Sequence, residues 1–129
     1  MPGTCFLALS AHIPTFAAAY ERADSWGGRP LPEGFTPAER ARCEGRAGWA
    51  QGLAARWAAK EAAARLSGRP WWSFEVLSDP SGAPRLVCRE GGARGLSAGR
   101  LLVTLTHEGE VATAWVALRD ERVIAELDQ

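Results

Sequence analysis

The chain has 129 residues and a mass of 13.8 kDa, which fits one domain over 1–129 that can bury roughly 65–70% of its unfolded surface. Its 47% hydrophobic and 23% charged residues are those of an ordinary globular protein and exclude a disordered chain. Fifteen Lys and Arg balance fifteen Asp and Glu for a formal net charge of zero, which removes the electrostatic basis for nucleic-acid binding, and no apolar run approaches the ~20 residues that cross a bilayer.

Lys60 is the only lysine and the other basic side chains are arginine; with the abundant alanine, this points to a GC-rich bacterial genome rather than to a mechanism. Cys5, Cys43 and Cys88 are widely spaced, with no CxxC pair, so neither a zinc site nor a disulfide framework is expected and a reducing cytoplasm is the plain setting. The N-terminus lacks the basic region of a signal peptide.

Residues 4–13 read as a strand with Phe6, Ala8 and Ser10 on one face and Leu7, Leu9 and Ala11 on the other. Both faces are mostly apolar, which predicts burial on both sides. Pro14 suits the first turn of a following helix, and the Gly- and Pro-rich stretch 25–34 reads as a loop. Thr36-Pro37-Ala38-Glu39 has the form of a capping box, opening a short helix from 37 to about 44. Residues 46–67 are rich in Ala, Leu and Arg and predict the longest helix, with Trp49, Leu53, Trp57 and Ala64 as one apolar stripe and Gly68 as its stop. From Trp71 the period changes: a hairpin turning at Asp79–Gly82, a loop or single helical turn over 91–99, two strands around His107-Glu108-Gly109, and a last short strand in RVIAEL. Strand, helices, then several strands give an α+β fold with an antiparallel sheet and a long helix.

Two segments carry chemistry. Within the long helix, Trp57, Glu61 and Arg65 share a face, with Lys60 turned about 100° away. Glu61 can hold a hard divalent cation or act as a base; it can equally be half of an i,i+4 pair with Arg65 on a solvated face, and spacing alone favours the pair. In the strand Val103–Glu108, Thr104 and Thr106 face one way and His107 the other. Two hydroxyls and a strand-end imidazole suit a phosphate, although threonine is also simply a good strand former. His12 reads as a partnered, partly buried side chain rather than a catalyst. The six tryptophans fill core and subunit interface or line an apolar pocket.

Four stretches in order resemble the holo-acyl-carrier-protein synthase family, the small trimeric 4′-phosphopantetheinyl transferases. They are Phe35-Thr36-Pro37-x-Glu39-Arg40, Leu53 to Ala62 with its Lys60-Glu61-Ala62 core, the Gly82-x-Pro84 turn, and Val103 to Gly109. The similarity runs from Ile13 to about Leu118, and actinomycete members look most similar, in agreement with the Arg and Ala composition. The resemblance implies a phosphopantetheinyl transferase-like fold, a homotrimer with clefts between protomers, coenzyme A as donor, Mg²⁺ as cofactor and a carrier-protein serine as acceptor. It places catalysis on Glu61 and His107 and cofactor contacts on Arg65, Thr104, Thr106, Gly82 and Pro84.

The departures fall on the metal. The family's first-strand aspartate is Leu9 here, residues 5–13 hold no carboxylate, and the phosphate-binding lysine is Arg65. Glu61 is then the sole carboxylate ligand, and Mg²⁺ should bind weakly or not at all. Three readings follow: a transferase with a degraded metal site; a relative turned to metal-independent acid/base work on a small biosynthetic intermediate, of the cyclisation or dehydration type; and a non-catalytic binder of carrier protein or coenzyme A.

Overall fold

A computed structural model describes residues 4–89 and 101–119. In chain order the elements are β1 (Thr4–His12), α1 (Ile13–Glu21), β2 (Ser25–Trp26), β3 (Arg29–Pro30), a 3-10 turn over Leu31–Gly34, α2 (Pro37–Cys43), α3 (Trp49–Ser67), a second 3-10 turn over Trp71–Ser73, β4 (Phe74–Ser78), β5 (Pro84–Cys88), β6 (Leu101–Glu108) and β7 (Val111–Arg119). The expected α+β fold is found. The predicted turn over 91–99 and the strand in RVIAEL lie outside the described residues.

The main sheet is antiparallel, in the order β1-β7-β6, and β4 and β5 form a separate hairpin. Its register lays Phe6, Ala117 and Leu102 in one row and Ala8, Trp115 and Thr104 in the next, all on one face. On the opposite face Leu7, Val116 and Val103 form a row, and Leu9 stands level with Ala114 and Leu105. That inner face packs on α3, with Ala112, Ala114 and Val116 buried. The outer face is open in the single chain: Phe6 is 69% exposed and Trp115 51%. The expectation that β1 is buried on both sides is therefore corrected. One helical layer covers only one face of a three-stranded sheet, and the uncovered face here sets Phe6, Leu102 and Trp115 beside Ser10, Thr104 and Thr113.

The long helix departs from its expected single stripe. Leu53, Ala54, Ala55, Ala58, Ala59, Lys60, Ala62 and Ala63 are all buried, whereas Trp49 and Trp57 are half-buried. The sheet lies on one side of α3 while α1, α2, the second 3-10 turn and β4 pack around it, and the small alanines let these layers approach closely. Gly68 ends α3 with φ +76°, a left-handed cap that glycine adopts without Cβ strain. The loop over 25–34 contains the two-residue β2–β3 pairing and the first 3-10 turn, because Pro30 and Pro32 fix φ on either side of Leu31. Phe16, Tyr20, Trp26, Phe35, Trp49, Trp57, Trp71 and Trp72 form one chain of ring contacts. No helix among the described residues is long and apolar enough to cross a membrane.

Candidate functional site

The capping box is fully formed. Thr36 Oγ1 accepts from Glu39 N at 3.2 Å, and Glu39 Oε1 accepts from Thr36 N at 2.9 Å. Glu39 does more than cap: it also accepts from Val76 N at 2.9 Å and from Lys60 Nζ at 2.7 Å. Both side chains of the Lys60–Glu39 pair are 0% exposed. Lys60 also donates to the Gly34 carbonyl at 2.7 Å and lies 4.4 Å from the Phe35 ring centroid and 5.3 Å from that of Trp71. Burial above all lowers its pKa to about 8, with Glu39 opposing that shift. Gly34 is required here by space, since a Cβ would come within 1.9 Å of the Trp71 ring.

Glu61, the next residue, lives in different surroundings. Its carboxylate accepts from Arg65 Nε at 2.9 Å, with Glu61 21% and Arg65 58% exposed. The i,i+4 pair anticipated from spacing is thus present. Among the described residues, no three of His, Cys, Asp and Glu stand close enough to share one metal ion. Leu9 is half-buried on the inner sheet face.

His107 is the penultimate residue of β6 and is exposed. Together with Thr106 it forms one wall of a cleft of about 300 Å³, whose other wall is Gly48, Gln51, Gly52 and Arg56. Arg56 Nη1 donates to the Gly52 carbonyl at 3.1 Å, while its Nε is buried with no acceptor among the described residues. The Arg56 guanidinium and the His107 imidazole both line this cleft, and donors of that kind suit an anion. Glu61 is not part of this cleft: it lies ~7.5 Å further along the α3 axis and about 140° around it from Arg56.

The remaining predicted residues are dispersed. Thr104 is exposed on the outer sheet face, in a shallow cleft with Phe6, Leu102 and Trp115. Gly82, at φ +90°, lies in the β4–β5 turn, where Asp79 Oδ1 accepts from Ser81 N and Ala83 N, and Pro84 opens β5 opposite Ser78. His12 is partnered, by Thr15 Oγ1 at 2.6 Å and Glu110 Oε2 at 3.2 Å, but it is 52% exposed rather than partly buried. One chain therefore joins His107 with Thr106 and Glu61 with Arg65, and does not join the two groups. Sequence reading missed Arg56 and the Lys60–Glu39 pair. The uniqueness of Lys60 as a lysine was the available signal for the second.

No protein-family profile matches the chain. Curated relatives named holo-[acyl-carrier-protein] synthase do. The protein from Anaeromyxobacter dehalogenans strain 2CP-1 is 45% identical over 96 residues, covering 70% of this chain and 75% of that one. The Methylobacterium sp. strain 4-46 protein is 41% identical over 114 residues, covering 76% and 84%, and that of Nocardia farcinica is 31% identical, covering 94% and 92%. These identities do not single out the actinomycete members. Among solved structures, an acyl carrier protein synthase in complex with coenzyme A from "Chronobacterium ammoniagenes" matches with TM-score 0.70 at 29% identity, covering 91% of this chain and 97% of that one. The Mycobacterium tuberculosis acyl carrier protein synthase matches with TM-score 0.60 at 33% identity, covering 92% and 96%. Fold, motif order and relatives agree: the chain belongs to the holo-acyl-carrier-protein synthase family.

Proposed function

We propose that this chain transfers 4′-phosphopantetheine from coenzyme A to a serine of an acyl carrier protein. The observation that carries the reading is the cleft between Arg56 and His107, an anion-suited site in a chain whose structural relative is a complex with coenzyme A. In the reaction the serine oxygen forms a new bond to the phosphorus of the transferred phosphate. The bond from that phosphorus to the oxygen of the 3′,5′-ADP leaving group breaks, and the electron pair departs with the leaving group. The serine proton passes to the Glu61 carboxylate. Arg56 and His107 hold the anionic donor, with Thr104, Thr106, Gly82 and Pro84 as further contacts, and Arg65 adds positive charge beside Glu61.

The family implies Mg²⁺, but the donor set here fits it poorly. Mg²⁺ sheds water reluctantly and needs carboxylate charge. Leu9 offers none, and Glu61 is already paired with Arg65. Weak or absent Mg²⁺ binding is the consequence, and no step above is drawn through the metal.

A homotrimer completes the site in this reading. The open apolar face of Phe6, Leu102, Val111 and Trp115 supports subunit contact, and a partner can bring together groups that one chain keeps apart. Trp115→Glu should then yield a monomer by sedimentation. The three free cysteines suit a cytoplasmic setting. The test of function is mass spectrometry of an apo-carrier protein incubated with enzyme and coenzyme A. The carrier should gain one phosphopantetheine, and His107→Ala should weaken coenzyme A binding. A carrier that stays unmodified across a Mg²⁺ titration contradicts the proposal.

A further inference from the structure

The Lys60–Glu39 pair lies outside the reacting groups, yet it is bonded on every side. Glu39 ties the α2 N-terminus through Thr36 N, β4 through Val76 N and α3 through Lys60. Lys60 adds the Gly34 carbonyl of the first 3-10 turn. The charged groups facing Lys60 are Glu39 of α2, Glu75 of β4 and Arg89 just past β5. Glu75 is itself held by Thr36 Oγ1 at 2.6 Å. A rigid helix fixes Glu61 about 100° around from Lys60. A roll of α3 by about 20° would carry a side-chain tip ~6 Å from the axis through ~2 Å, enough to break two 2.7 Å bonds at Lys60. The alanines that surround Lys60 on α3 offer no polar lock against such a roll.

We propose that Lys60 is a positioning residue: its buried bonds to Glu39 and Gly34 set the angular position of α3 and so fix where Glu61 presents its carboxylate. This rests on the transferase reading for the role of Glu61, but the geometry can be tested without it. Lys60→Met alone strands the Glu39 charge and can fail to fold, so the working variant is Lys60→Met with Glu39→Gln, which removes both charges. Leu101→Ala, a buried position at the start of β6, serves as the control for general destabilisation.

With all proteins fully folded, the double variant should lose about 10²-fold in kcat, the size expected for a misplacement of about 1 Å. Its KM for coenzyme A should stay within about twofold, and the control should keep its kcat. The second readout is the Trp57 indole N–H resonance, assigned with Trp57→Phe. Trp57 shares the Glu61 face and meets Trp26 edge-on at 4.8 Å, so its resonance should shift in the double variant and stay fixed in the control. A double variant with wild-type kcat, or an equal kcat loss in the control, overturns the proposal. A wild type that transfers nothing defeats the transferase reading instead; the Trp57 resonance then decides, and an unshifted signal in the double variant overturns the positioning role.

Discussion

Residues 60 and 61 are neighbours on one helix, and each forms an ion pair, but the two pairs follow opposite physics. Lys60–Glu39 is sealed, with both side chains 0% exposed, whereas Glu61–Arg65 opens to solvent through an arginine that is 58% exposed. A buried pair must be satisfied on every lone pair and proton, and removing one partner leaves a costly naked charge. An exposed i,i+4 pair contributes a few tenths of a kcal/mol and can be parted at little cost. The difference teaches which group is free to do chemistry. In the proposed reading the sealed pair holds the helix and the open pair exchanges its partner for a substrate.

The comparison breaks most visibly at Lys60. Lys60→Met should cost about 3–5 kcal/mol of stability by leaving Glu39 buried and unpaired, read as the shift of a urea midpoint at constant m-value. A loss below about 1 kcal/mol would mean that the buried pair is not the anchor described. Gly34→Ala tests the same region from the other side. The added Cβ meets the Trp71 ring, and overpacking of this kind costs about 1–3 kcal/mol; unchanged thermal unfolding contradicts that packing.

Proton linkage sharpens the contrast. Lys60 has a folded value of about 8 against an ordinary 10.5. Between the two the unfolded chain binds more protons, so the contribution of Lys60 to stability rises as pH climbs through that window. Below it, the cost of burying the ammonium is felt in full. Thermal midpoints of wild type minus those of the Lys60→Met, Glu39→Gln double variant should rise from about pH 8 toward 10.5, and a flat difference contradicts the burial.

At the open pair, Leu9→Asp should strengthen Mg²⁺ binding in calorimetry, with Arg65→Lys helping; tight binding by the unaltered chain refutes the poor donor set. The smallest effect belongs to Arg65→Gln, which should change stability by no more than about 0.5 kcal/mol.

Much of the fold was legible because local signals agreed. The Thr36–Glu39 capping box, the Gly68 stop and the alternation in β6 and β7 each determine backbone geometry within a few residues. The burial of α3 was less legible, since alanines carry little periodic signal and their environment is set by layers distant in sequence. The Glu61–Arg65 pair followed from helical spacing. Glu39–Lys60 did not, because the partners are brought together by packing α2 against α3. Arg56 escaped notice for the same reason: its role appears only when β6 places His107 across the cleft.

The central claim is that the open carboxylate works while the sealed pair holds, and it is tested most directly on Glu61→Gln. Transfer to an apo-carrier protein and thermal unfolding should be measured on the same preparation. Transfer should fall by about 10²–10⁴-fold, the usual weight of a general base, while the thermal midpoint stays within about 1 °C of wild type. Transfer at the wild-type rate, or a large drop in the midpoint, would contradict the account.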